Sequence, residues 1–373
     1  MPGSRLSPPE RGSGPLDLLV IGDCNPDVMV VGDDVTPAFG QQEKLVDGIS
    51  LEIGGSASIT ATAAARLGLR VALAAAVGDD PAGRFMLGQL AAEGVDTASV
   101  AVRSDAPTGM TVALSAGGDR AILTATGAVA TLTVRDVPPA LLARARHVHV
   151  SSYFLVADSL GPGLAALFSA ARGGGASTSL DTNWDPAQRW RDERLTAALA
   201  HVSLLLPNEA EALCLANEAL GAADAPLRAA GGELGPAGGE LGPAGAPLGV
   251  AGTAALEQAV SALTAAGPRL VVKLGERGAL CADGTRRYLV RPPPVTVADS
   301  TGAGDCFNAG VIAGLLSGEE LPSAVALGCA VGAASARAPG GTSSTPDLAT
   351  ARDLAQHVAV REVTGARPVP PRA

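Results

Sequence analysis

Aromatic side chains are scarce in this sequence: two Trp, two Tyr and five Phe, or 2% of 373 residues. A buried core must therefore be built from Ala, Val and Leu. The hydrophobic fraction of 47% and charged fraction of 17% are those of a globular chain and not of a disordered one. Lysine is scarcer still, present only at Lys44 and Lys273. The arginine bias reflects coding and carries no chemistry, but it lets each lysine be weighed by itself. Basic blocks and aromatic–basic interleaving are both lacking, and the formal net charge is −10. This argues against nucleic acid as a partner. It does not argue against a nucleotide, because backbone dipoles can form an anion pocket in an acidic protein.

The five cysteines (Cys24, Cys214, Cys281, Cys306, Cys329) include no C-x-x-C, and the four histidines complete no zinc pattern. They read as small buried hydrophobes in a reducing compartment. No apolar run is long enough to span a bilayer, and the Pro/Gly/Ser/Arg-rich start holds no signal-peptide core. The expectation is a cytoplasmic protein with no membrane partner. A Walker-type G-x-x-x-x-G-K-[ST] is also missing, which disfavours a P-loop NTPase.

What is present is a repeated strand–turn–helix rhythm from Leu16 onward. Leu18–Ile21, Val71–Val77, His147–Ser151, Ser179–Asp181, Ser203–Leu206 and Leu270–Leu274 are short apolar strand candidates. Ser56–Leu67, closed by Gly68, and Arg84–Glu93, closed by Gly94, are helix candidates. Such alternation predicts an α/β fold with a mostly parallel central sheet covered by helices on both faces. His147 and His149 alternate on one strand and are read as packing residues. Two stretches, within about 28–51 and 100–132, carry alternating polar-interleaved patterns suited to half-exposed antiparallel strands. They predict a small β-sheet lid over a site.

Residues 220–252 read as a Gly/Pro-rich surface loop insertion, in which Gly231–Ala237 is repeated identically as Gly238–Ala244. The predicted organisation is a disordered tail over 1–15, one domain over 16–365 and a flexible tail over 366–373.

The segment from Val295 to Gly310 reads as a strand running into a Gly-rich turn, followed by a small-residue helix to about Ser317. Glycines let backbone approach a ligand, and the first N–H groups of the helix form an anion hole. Asp305 stands beside that hole, where a carboxylate can accept a proton from an attacking hydroxyl. Taken alone, a Gly-x-Gly-Asp is equally an N-capped tight turn.

The full string Asp299-Ser300-Thr301-Gly302-Ala303-Gly304-Asp305-Cys306-Phe307 resembles the D-T-x-G-A-G-D-x-F signature of the ribokinase (PfkB) family, with Ser300 where Thr is usual. Further segments match that family in order: Gly54-Gly55-Ser56-Ala57 with Ala65-Arg66-Leu67-Gly68, Val77 to Gly83, Pro207 to Glu211, and Lys273 to Gly278. The resemblance covers about residues 16–350. It implies ATP-dependent phosphorylation of a hydroxyl on a sugar or sugar acid. Asp305 would be the general base, and the amides of Gly302, Ala303 and Gly304 the anion hole.

By the same resemblance Asn208 and Glu211 organise Mg2+ and phosphate, Glu211 through water, while Lys273, Gly275, Gly278 and Asn308 lie beside the nucleotide. Oxygen donors of this kind suit a hard cation. Asn25 and Asp27, within Gly22 to Asp27, would bind sugar hydroxyls together with Gly54, Gly55, Asp181 and Asn183. Relatives often hold K+ beside the anion hole, which points to Asp299, Thr301, Gly340 and Ser344. A lid of this type also implies a homodimer through the lid.

Two departures concern the acceptor. Ile59 stands where the family often has an Asn touching the sugar, so the substrate lacks a polar group there or another side chain supplies the contact. In Asp181 to Trp190 the arginine of the fructokinase-like and 2-keto-3-deoxygluconate kinase-like pattern is displaced to Arg189, so no carboxylate-binding role passes to it. Two other readings stay open. A nucleoside kinase would need Phe39, Phe154 or Tyr153 as a base platform; a non-catalytic ligand-binding protein would be expected to lack Asp305.

Overall fold

The first strand, β1 (Leu16–Ile21), is buried at every position. Leu16, Leu19 and Ile21 enter one apolar cluster, while Leu18 and Val20 enter a second. A strand covered on both faces requires this. The structure is a computed structural model and describes residues 15–116, 119–219, 250–265, 267–338 and 340–363.

After β1 come β2 (Asn25–Val31), β3 (Gly48–Gly54), α1 (Ser56–Arg66), β4 (Val71–Gly78), α2 (Pro81–Ala92) and β5 (Asp96–Arg103). The middle of the chain holds β6 (Met110–Ala116), β7 (Asp119–Ala125), α3 (Pro139–Leu142), β8 (Ala145–Val150), α4 (Tyr153–Val156) and α5 (Gly161–Gly173). Then follow β9 (Ser177–Leu180), α6 (Glu193–Leu199), β10 (Leu204–Leu205), α7 (Glu209–Ala219), α8 (Val250–Ala265) and β11 (Arg269–Lys273). The chain closes with β12 (Ala279–Asp283), β13 (Arg286–Arg291), α9 (Ala303–Leu316), α10 (Leu321–Ser335), α11 (Leu348–Ala355) and β14 (Ala359–Val363).

Ten strands form one sheet in the order β14-β13-β12-β11-β10-β9-β8-β1-β4-β5. Pairing is parallel from β11 to β5 and antiparallel among β11 to β14. Helices α3 to α8 pack on one face through residues such as Tyr153, Phe168 and Val260. Helices α1, α2, α9, α10 and α11 cover the other, through Met86, Leu90, Ile312 and Val331 among others. The chain leaves β1 toward one face and β8 toward the other, so a crevice opens at their C-terminal ends, where ligands of open α/β sheets bind.

A second sheet, in the order β3-β2-β6-β7, is the small sheet expected from the alternating stretches. Two details differ from expectation. β2 pairs with β6 in parallel, not antiparallel, and Val100 to Arg103 belong to the edge strand β5 of the main sheet.

Other boundaries also shift. α2 starts at Pro81 and not Arg84, because Asp80 accepts the Gly83 N–H (2.8 Å) as its N-cap and Pro81 fits the first turn. Residues 292–298 form no strand; Pro292, Pro293 and Pro294 lack the N–H groups a ladder needs. Of the expected loop insertion over 220–252, residues 220–249 lie outside the described residues, and 250–252 already belong to α8. The expected tails fall outside too, except Pro15.

His147 and His149 do pack inside the sheet, in a continuous ladder. Ser177 Oγ meets His147 Nδ1 (2.7 Å), His147 Nε2 meets Ser179 Oγ (2.7 Å), Ser179 Oγ meets His149 Nδ1 (2.7 Å), and His149 Nε2 meets Ser151 Oγ (2.8 Å). Burial holds both imidazoles neutral, at about 3 for His147 and about 4 for His149. Ser179 has one proton to give and lies between two rings, so the tautomers of the two histidines are fixed together.

Candidate active site

The Gly54–Gly55 turn exists because of what lies against it. A methyl group on Gly54 would overlap the Asp27 carboxylate, and Gly55 holds φ +79°. Gly55 caps α1 without a side chain; the end of β1 supplies the cap instead. Asp23 accepts the N–H groups of Ser56 (3.0 Å) and Ala57 (2.9 Å), a carboxylate at a helix N-terminus. Asn25 and Asp27, both buried, meet beside the turn: Asn25 Nδ2 donates to Asp27 Oδ1 (3.2 Å) and to Thr111 Oγ1 of the small sheet (3.1 Å). From β9 the loop brings Asn183, held at φ +54°, whose Oδ1 accepts the Ser152 N–H (2.9 Å) and whose Nδ2 donates to Ser56 Oγ (2.8 Å).

Ser56 in turn hydrogen-bonds Asp305, the third residue of α9. Asp305 is 8% exposed. Burial, reinforced by the nearby Asp181 charge, pushes its carboxyl well above the usual range, against the pull of Lys273 and Ser56. Gly302 precedes the helix at φ +68°. Among the described residues no acceptor meets the N–H of Gly302 or of Gly304. Ala303 differs from expectation. Its N–H donates to the Ser300 carbonyl (3.2 Å), closing the turn, so it is not free to join an anion hole.

One expectation beneath this layer is corrected. Asp181, expected to bind substrate, is 1% exposed and turned inward: Oδ2 takes an ion pair from Lys273 and the Asn308 amide (2.6 Å). Burial opposes the charge of Lys273, but Asp181 and Glu211 outweigh that and raise its pKa. Asn208 and Glu211 close a reciprocal cap at the start of α7. The Asn208 N–H donates to Glu211 Oε2 (2.9 Å) and its Nδ2 to Oε1 (2.6 Å), while the Glu211 N–H donates to Asn208 Oδ1 (2.9 Å). Burial and the charge of Asp181 push Glu211 up to about 7.

Residues 16–348 match the pfkB family carbohydrate kinase domain. The chain belongs to the pfkB family of carbohydrate kinases. It is a phosphotransferase acting on a sugar. The chain is 25% identical to Haemophilus influenzae ribokinase over 91% of its own length and 98% of the relative's. It is 30% identical to Bacillus subtilis 2-dehydro-3-deoxygluconokinase over 81% and 86%. The fold matches Arabidopsis thaliana ribokinase, solved with ribose and ATP, at a TM-score of 0.70 and 20% identity, covering 92% of this chain and 99% of that one.

In this pfkB kinase Asp299 ties two segments together: Oδ1 accepts the N–H (2.9 Å) and hydroxyl (2.7 Å) of Thr301, and Oδ2 accepts the Gly340 N–H (3.2 Å). The Ser344 hydroxyl meets no protein partner among the described residues. Ile59 is buried beneath the Gly302 turn: a Cβ on Gly302 would lie 3.0 Å from Ile59 Cγ2. Gly275 is exposed and Gly278 closes the turn after β11 by donating its own N–H to the Gly275 carbonyl (3.0 Å). Among the described residues no helix is long and apolar enough to cross a membrane, and no cluster of three or more His, Cys, Asp or Glu forms a metal site.

Asp23, Ser56 and Ser152 have no role in the sequence reading, although Asp23 lies within Gly22 to Asp27 and Ser56 directly follows Gly54-Gly55. Of the base-platform candidates, Tyr153 is buried with its hydroxyl on Asp192 (2.8 Å), Phe154 packs edge-on to Trp190, and Phe39 is 95% exposed between β2 and β3.

Proposed function

We propose that this kinase transfers the γ-phosphoryl group of ATP to a hydroxyl of a sugar or sugar acid. The observation that carries the reading is Asp305: a buried carboxylate of raised basicity, beside the unpartnered N–H groups of Gly302 and Gly304. Asp305 takes the proton of the acceptor hydroxyl, whose oxygen forms the new bond to phosphorus. The bond from phosphorus to the ADP oxygen breaks, and the electron pair leaves with ADP. Gly302 and Gly304 N–H groups meet charge on the transferring oxygens. A base above the ordinary carboxylate range is closer to the operating pH and accepts the proton more readily.

Asn25, Asp27, Gly54, Gly55 and Asn183 line the acceptor side, with amide and carboxylate groups that match adjacent hydroxyls. The named relatives act on ribose-type and keto-sugar-acid acceptors, which supports this class. Arg189 does not favour an acid over a neutral sugar: Asp185 accepts its backbone N–H (2.8 Å) in the loop, and its residue is exposed.

Asn208 and Glu211, oxygen donors where carboxylates outnumber Lys273, would hold Mg2+ through water, and the ion would supply charge neutralisation at the phosphates. A monovalent cation, K+, fits the oxygens of Asp299, Thr301, Gly340 and Ser344. Lys273, Gly275 and Gly278 flank the nucleotide, while Asn308, fully buried with its amide on Asp181, supports Lys273 from behind. A cytoplasmic location agrees with five buried cysteines, none of them in a disulfide.

Pairing of two chains through the lid is part of the same reading. Register places Val28, Val30, Ile49, Leu51, Val112 and Leu123 on the face of the small sheet opposite Asn25 and Asp27. Ile49 is 68% exposed and Leu123 64%, an apolar patch of the kind that marks an interface.

The test is ADP release across pentoses, hexoses, keto-sugar acids and nucleosides, with Asp305→Asn as control. Release with sugars or sugar acids above that control supports the reading; release with nucleosides alone would replace it.

A further inference from the structure

Only two of the 27 basic residues are lysines, and one of them is buried at the start of the catalytic helix. Lys273 ends β11, where its strand meets Asn208 in a parallel bridge. Its Nζ and Cδ lie 3.7 Å from where a Cβ on Gly304 would stand. The ammonium therefore lies on the side-chain side of the glycine whose N–H has no acceptor. Asp181 holds it from below. Asn308, four residues beyond Gly304 on α9, anchors the same Asp181 oxygen. The ion pair is thus fixed to the helix that carries the anion hole.

A buried pair made only for stability would be poorly placed here. Such pairs contribute little over apolar packing, because desolvation offsets the attraction. The choice of lysine in an arginine-rich chain has a geometric reason. An ammonium offers three N–H groups on one centre, so one holds Asp181 and others remain for a second anion. A guanidinium laid bidentate on Asp181 would direct its fork at that carboxylate.

We propose that Lys273 is a catalytic residue that stabilises the transferring phosphoryl group together with the Gly302 and Gly304 N–H groups, and that Asp181 is its positioning residue. This rests on the kinase reading above. Lys273 keeps its proton throughout; the acceptor proton goes to Asp305 and the electron pair leaves with ADP. Asp181 acts only by aiming the ammonium.

The experiment compares wild type, Lys273→Met and the double variant Lys273→Met/Asp181→Asn by steady-state ADP release with the best sugar acceptor, with melting temperatures alongside. The double variant removes the carboxylate that Lys273 pairs with directly, so it separates charge at the phosphoryl from neutralisation of Asp181. The expected result is a kcat about a hundredfold below wild type in both variants, with acceptor KM within about threefold. A double variant that melts like wild type and recovers kcat to within about threefold of it would overturn the proposal, since Lys273 would then serve only to balance Asp181. A single variant of near-normal kcat would overturn it as well. Absence of turnover in the wild type would instead remove the kinase reading, and this inference with it.

Discussion

Gly302 and Gly341 touch backbone to backbone: a methyl group on Gly302 would stand 2.9 Å from the Gly341 Cα. Gly302 also holds φ +68°, which costs an L-residue about 1–2 kcal/mol. Gly302→Ala is therefore expected to move the turn away from the 340–341 segment and misaim its N–H. The outcome should be a kcat about a hundredfold lower with acceptor KM little changed, and a lower melting temperature. Steady-state kinetics and a thermal melt on the same sample check both.

Glu211 sits on Asn208 through both carboxylate oxygens, so the metal role proposed for it would be exerted through water. Glu211→Gln keeps the length and one acceptor of the cap but removes the charge. The Mg2+ concentration for half-maximal rate should rise by about tenfold or more, while kcat at saturating Mg2+ falls less. A Mg2+ titration of the initial rate is the check; an unchanged requirement would detach Glu211 from the metal.

The buried histidines give stability a pH dependence of known sign. His147 and His149 are held at about 3 and about 4 when folded, against about 6.5 when exposed. Between these values the unfolded chain binds protons that the folded chain refuses, so stability falls as pH drops from about 6.5 and is unaffected by them above it. Urea midpoints at pH 7.5 and pH 5 should differ accordingly, and His149→Gln should shrink the difference. An equal difference in the variant would place the titrating groups elsewhere.

The apolar face of the lid sheet gives a test of assembly. Leu51→Glu with Leu123→Glu puts charge at the centre of that face and leaves the Asn25–Asp27 face unchanged. Light scattering should show a dimer for wild type and a monomer for the variant. A wild type that is monomeric at micromolar concentration would rule out the lid interface.

How much of this was legible in the sequence depended on whether a residue's partner was local. The strand–helix rhythm and the Gly302-to-Asp305 turn were readable because periodicity and turn chemistry act over a few residues. The strand expected at Val295 failed for a local reason that was also readable, the three prolines before it. The pairing of Asp181 with Lys273 was not legible because they are 92 residues apart and their meeting depends on the parallel register of β9, β10 and β11. The Asp23 cap on α1 spans 34 residues and was hidden for the same reason. Ile59 was read from its position in a motif, and its packing under Gly302 depends on how α1 meets α9.

The central claim is that Asp305 takes the acceptor proton. The most direct measurement is single-turnover transfer of the labelled γ-phosphoryl of ATP to the sugar, by wild type and Asp305→Asn, across a pH series. Asparagine keeps the shape and cannot accept the proton. Wild-type transfer should fall as pH drops through a carboxyl pKa above the ordinary range, and the variant should be slower by about a thousandfold or more with no such limb. Transfer by Asp305→Asn within about tenfold of wild type, with the same pH profile, would contradict the account.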